Sequence, residues 1–91
     1  MPGDDFRWNE WNLTHIAQHS VSAEEAEYVI TNAKPPYPVL IVEEKWKVWG
    51  QTANGRYLQL IFLYDPGETI YVIHARGLSD REKRRLRRRR R

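Results

Sequence analysis

The chain has 91 residues, 41% of them hydrophobic and 12% aromatic, enough to bury one modest core and to form a single domain spanning residues 1–91. It has no cysteine, which excludes a disulfide framework, a thiol nucleophile and a cysteine-ligated zinc site. No apolar run is long enough to span a bilayer, and the acidic start Met1 to Asp5 lacks the basic-then-apolar pattern of a signal peptide. A cytoplasmic protein with no membrane association is expected. The net charge of +3 hides an asymmetry. Residues 76–91 carry ten Lys/Arg against Asp80 and Glu82, whereas residues 1–75 carry five basic and ten acidic groups. An acidic globule with a strongly basic end favours a polyanionic partner, nucleic acid first.

In chain order, residues 1–5 read as a disordered start, followed by a short extended segment at Phe6 to Trp8. A helix is expected from about Asn9 to His19. At 100° per residue its side Leu13, Ile16, Ala17 and Ser20 suits burial, and Trp8, Trp11, Asn12, His15 and His19 gather on the opposite side. A second helix is announced by the capping box Ser22-Ala23-Glu24-Glu25, with Val21 and Ala26 placed as a hydrophobic staple. Pro35 and Pro36 end it. From Pro38 the period falls to two. Val39 to Val42 predicts a strand, Glu43-Glu44 a tight turn and Lys45 to Gln51 the returning strand. Asn54-Gly55 marks a hairpin in which both residues accept positive φ. Arg56 to Tyr64 is apolar on both faces and suits a central strand, and Asp65-Pro66-Gly67 turns the chain into a last strand, Thr69 to Arg76. Ser79-Asp80-Arg81-Glu82 is a second capping box, opening a basic helix anchored by Leu86 alone, its end at residues 87–91 a fraying basic tail. The expected architecture is α+β: an antiparallel sheet of three to four strands, two N-terminal helices on one face and the basic helix at its edge.

Several kinds of chemistry are poorly supported. His15 and His19 lie four apart but lack the acidic residue of an HExxH site. The five glycines sit singly, so no phosphate-cradling loop exists, and two of the serines are better explained as caps. Glu24, Glu25 and Glu27 read as a solvated face that complements a helix dipole. No metal or other cofactor is expected. His74 and Arg76, two apart on the last predicted strand, leave the same face. They read either as an acid–base group beside a fixed cation, or as an exposed strand end with Arg76 paired to an acid. The arginine run gives salt-dependent, mostly sequence-blind affinity for phosphates. Trp8, Trp11, Trp46 and Trp49 offer rings able to stack on unpaired bases, though at least two are expected to fill the core.

Phe6-x-Trp8-Asn9, Asn12, His19-Ser20-Val21-Ser22, Glu25-Ala26, Gly50, Gly55-Arg56-x-Leu58, Ile73-His74-Ala75-Arg76 and Glu82 together resemble the BrnT family of bacterial toxins, over roughly residues 6–85. The family pattern usually has Asp where this chain has Asn9, Lys where it has Trp11 and Gly where it has Ser20, and often a small residue where it has His74. The resemblance implies a fold similar to RelE-type messenger-RNA interferases. It also implies a metal-independent ribonuclease that inhibits translation, neutralised by a DNA-binding, ribbon-helix-helix antitoxin of the BrnA type. On that basis Arg76 would stabilise phosphate charge and His74 or His19 would carry protons. Arg56, Arg81, Lys83, Arg84 and Arg85 would hold RNA. The rival expectation is a non-catalytic module that binds nucleic acid or a protein through the basic C-terminal helix.

Overall fold

The computed structural model describes residues 5–89, with backbone alone at Arg89. The expected disorder of residues 1–4 and the last two arginines of the tail lie outside the described residues. Among those described the order is α1 (Glu10–Ala17), α2 (Ala23–Thr31), β1 (Val39–Leu40), β2 (Trp46–Gln51), β3 (Tyr57–Tyr64), β4 (Ile70–Gly77) and α3 (Asp80–Arg89). The strands form one antiparallel sheet in the order β1-β2-β3-β4, so the α+β expectation and the central place of β3 both hold. No helix among the described residues is long and apolar enough to cross a membrane.

Local chemistry accounts for most boundaries. Ser22 accepts from the Glu25 amide while Glu25 accepts from the Ser22 amide, and the staple residues Val21 and Ala26 are both buried. Ser79 and Glu82 form the same reciprocal pair, the Glu82 carboxylate accepting from the Ser79 amide at 2.8 Å. The Glu43-Glu44 turn has positive φ at both residues (55° and 61°), a mirror-image turn that matches strand twist. That turn consumes more chain than expected: Ile41 already bonds the Lys45 carbonyl, which shortens β1 to Val39–Leu40. At the next hairpin only Gly55 takes positive φ (95°). The Thr52 side chain bonds both the Asn54 amide oxygen and the Arg56 backbone N–H, so Asn54 is held without the left-handed conformation expected of it.

The sheet's two faces differ. Val48, Leu58, Leu60, Phe62, Val72 and Ala75 are buried on the face covered by α2. A Cβ at Gly50 would lie 2.9 Å from Val29 Cγ1, so glycine permits the close approach of that helix. The other face carries Trp49, Tyr57, Gln59, His74 and Arg76, placed together by the register Trp49↔Gln59, Gln59↔Arg76 and Ile61↔His74. A bulge lies between Ile61 and Phe62, spent on Ile73, and it lets His74 and Arg76 share this face while Val72 stays in the core.

The helix α1 departs from expectation in length and in orientation. It ends at Ala17, and the turn beyond it is closed by Val21 N–H to the Ile16 carbonyl and Ser20 N–H to the Ala17 carbonyl. Ser20 there has φ 58°. This is a Schellman closure, with the buried pair Ile16 and Val21 as its hydrophobic contact. The buried side of α1 is Asn12 and Ile16, and Leu13 is 42% exposed. The reason is a polar seam. Asn12 accepts from the Asn9 amide, and its Nδ2 donates to the Arg7 and Val72 carbonyls, each at 3.1 Å. A fully satisfied asparagine costs little to bury, and this one fastens α1 to β4. Trp8 likewise turns inward, its Nε1 donating to Glu27 at 2.7 Å. Trp49 is buried, and Trp46 packs against the core. The helix α3 remains helical to Arg89, further than the fraying expected after Leu86.

Candidate functional site

Three elements meet beside β4. The i, i+4 spacing along α1 brings Trp11 and His15 onto one side, where their rings stack 4.9 Å apart and 7° from parallel. The closing turn then carries His19 toward the sheet, and its ring lies 6.0 Å from that of His74. Sequence spacing linked His15 to His19, and His74 to Arg76. It had no means of joining the two pairs, because the joint is the Asn12 seam that sets α1 along β4.

His74 is half-buried. Burial above all, then the positive Arg76 and the neighbouring His19 and His15, lower its pKa from the ordinary 6.5. It is therefore neutral and able to accept a proton near pH 7. His19 is exposed. The two imidazoles differ in environment, one half-buried and one open to water. Among the described residues no group of three or more His, Cys, Asp or Glu could hold a metal ion.

Both terminal nitrogens of Arg76 are engaged. Its Nη1 and Nη2 donate to the two Glu82 oxygens at 2.8 and 2.9 Å, and it also donates to the Gly77 carbonyl and to Gln59 at 3.2 Å. The pairing holds Glu82 down to about pKa 2. Gln59 in turn accepts from Trp49 Nε1. Of the two roles weighed for Arg76, this geometry is that of the partnered one. Its charge reaches His74 through space, while both of its terminal nitrogens are occupied. Glu82 and Gln59 were missed as partners. Glu82 was visible only as a cap, and one carboxylate performs both tasks.

The residues expected to hold RNA divide. Arg56 lies away from α3: its guanidinium donates to the Ser20 and His19 carbonyls, the latter at 2.8 Å, and stands 3.6 Å from Glu25. It closes the end of α1. Lys83 and Arg87 stand over the Tyr57 ring at 5.9 and 5.8 Å, and Glu82 reaches Arg76, so α3 lies along the face opposite α2. With Leu86 buried, helical geometry sends Arg81, Arg84, Arg85 and Arg88 outward along one stripe. All four are exposed, and no carboxylate among the described residues pairs with them. This stripe and the His19–His74 pair are connected through Arg76, which is two residues from His74 and bonded to Glu82 of α3.

Set against known proteins, the chain matches no family model, no curated protein and no solved structure.

Proposed function

We propose that the chain is a metal-independent ribonuclease, acting by attack of a ribose 2′-hydroxyl on the adjacent phosphorus. The observation that carries this reading is the meeting of His19 and His74 at 6.0 Å from separate elements. The reaction needs one group to take the 2′-hydroxyl proton and another to protonate the leaving oxygen on the far side of the phosphorus. His74, lowered in pKa, is suited to the first task. His19, exposed beside it, is suited to the second. Arg76 acts here as a positioning residue: bonded to Glu82, it anchors α3, and its charge helps keep His74 neutral. The outward stripe of α3 supplies attraction for the RNA backbone. The resemblance to BrnT toxins supports the same reaction class and adds the expectation of an inhibiting antitoxin.

The test is cleavage of single-stranded RNA in the presence of a chelator, comparing the native chain with His74→Gln and His19→Gln. Each substitution is expected to lower the rate by about 10²–10⁴-fold, the usual share of one acid–base group. The native rate should fall as pH drops below the ordinary imidazole range and His74 becomes protonated. If the native chain leaves RNA intact under every condition in which it binds RNA, the nuclease reading fails. The engaged state of Arg76 favours the alternative in that event: a module that binds nucleic acid through α3 without cutting it.

A further inference from the structure

Outside the imidazole pair, the most unusual surface feature is Trp11. It is 55% exposed, although large aromatic side chains gain most by burial. It is also held in place. His15 stacks on it nearly parallel, and Tyr71 lies 6.3 Å away at 19°. Tyr71 in turn is fixed by a hydrogen bond from its hydroxyl to Asn9 and by the Arg7 guanidinium, 3.9 Å from its ring centroid. Arg7 is itself locked by two bonds to Asp65 at 2.7 and 2.9 Å. Tyr71, Trp11 and His15 thus lie as near-parallel rings along the outer side of α1 toward His19, with the Arg7 guanidinium against Tyr71, and more than half of Trp11 stays open to a ligand.

Beside Trp11 and His15 the surface dips into an open depression of about 470 Å³ lined also by Glu10, Thr14 and Gln18. None of these residues is a lysine or arginine, and Glu10 is acidic, so the hollow repels a phosphate. Its lining combines the rings of Trp11 and His15 with an amide, a hydroxyl and a carboxylate. That is the chemistry of a flat, uncharged ring with polar edges.

We infer that Trp11 is a stacking platform for an unpaired nucleobase of bound RNA, neighbouring the phosphate held at His19 and His74. The inference takes RNA as partner from the reading above, but not cleavage. These rings already contact one another in the free chain, so less side-chain freedom is lost when a base stacks on Trp11. The division of labour is physical: α3 attracts phosphates, and α1 takes a base. One helical turn, about 6 Å along the axis, separates Trp11 from His15, and His19 follows in the next turn of chain.

The test is equilibrium binding of the full chain to a short 2′-O-methyl oligoadenylate, which cannot be cut by 2′-hydroxyl attack. Trp11→Ala is expected to weaken binding by roughly 5- to 150-fold, the range for one base on one aromatic ring. Trp11→Phe should recover most of the loss. The slope of log affinity against log salt should stay the same in Trp11→Ala, since stacking releases no counterions. With an abasic backbone of equal length the native chain and Trp11→Ala should bind alike. Equal affinity of native chain and Trp11→Ala for the oligoadenylate would overturn the platform and leave Trp11 as a surface for a protein partner. So would a loss that persists on the abasic backbone. Each hypothesis fails separately. Cleavage of ordinary RNA without a Trp11 effect removes the platform alone, and a Trp11 effect on binding without cleavage removes the nuclease alone.

Discussion

The arginines inside the sheet and those on the outer side of α3 are chemically identical and do opposite things. Arg56 follows a hairpin turn and Arg76 sits near the end of β4, each where the backbone fixes its direction. Each finds partners: the α1 terminal carbonyls for Arg56, and Glu82, Gln59 and Gly77 for Arg76. Arg81, Arg84, Arg85 and Arg88 project from one side of a helix whose carboxylates are either exposed, as Asp80, or already bound, as Glu82. Their charge has no answer within the described residues. An arginine within the sheet is here part of the framework, and a helical stripe of them is an invitation to a polyanion.

The largest effect should come from the free group. Changing Arg81, Arg84, Arg85 and Arg88 together to glutamine would, on the proposed reading, remove up to four phosphate contacts. Affinity for single-stranded RNA should fall by about 10²-fold and the salt slope should shrink by about 3. Thermal stability should hold or rise, because like charges at i, i+4 repel. Titrations at several salt concentrations, with a melting curve, measure both. An unchanged salt slope would mean that the stripe does not meet RNA, and the contrast between the two groups of arginines would lose its functional side.

Arg76→Ala should show the reverse. It removes a two-pronged, half-buried pair and leaves the Glu82 carboxylate with the Ser79 amide alone, a loss of about 1–3 kcal/mol in denaturant unfolding. The pH dependence identifies the pair. Glu82 has its folded pKa lowered from 4.5 to about 2, so the unfolded chain binds the proton more readily. The pair's stabilisation is therefore complete above pH 4.5 and is lost as pH falls toward 2. The gap between native chain and Arg76→Ala should close over that interval. A gap independent of pH, or no gap at all, would reduce the contact to an ordinary surface ion pair.

What the sequence disclosed follows the range of the interactions. Both Ser-x-x-Glu boxes, the turn at Asp65-Pro66-Gly67 and the meander from β2 to β4 depend on neighbours within a few residues, and all were legible, whereas α2 ends at Thr31, capped by Asn32, before the prolines expected to stop it. The side of α1 that is buried was not. An eight-residue helix carries too few apolar positions to declare a stripe, and its orientation is set by Asn12 reaching the Val72 carbonyl sixty positions away. The site suffers from the same limit. His19 and His74 were both singled out, yet their meeting depends on that seam. Arg56 looked like a phosphate ligand because nothing local revealed the carbonyls it would cap.

The smallest effect concerns the turn that Arg56 closes. Ser20 has φ 58° at the position where helices most often place glycine. A left-handed conformation costs an L-residue about 1–2 kcal/mol, and glycine escapes that cost. Glycine also gives the unfolded chain more freedom, which takes back about 0.4–1 kcal/mol. The Ser20 side chain is exposed, so little else changes. Ser20→Gly should therefore stabilise the fold by about 0.5–1 kcal/mol, or roughly 2–8 °C in Tm for a domain of this size. RNA affinity should not move if, as proposed, the phosphate contacts lie on α3. The same substitution made in Arg56→Ala separates two causes of the strained turn. If the gain persists there, the Schellman closure alone imposes the left-handed residue. If it vanishes, the turn adopts that conformation only because Arg56 holds the His19 and Ser20 carbonyls, and its placement of His19 beside His74 depends on an arginine that never needs to touch RNA.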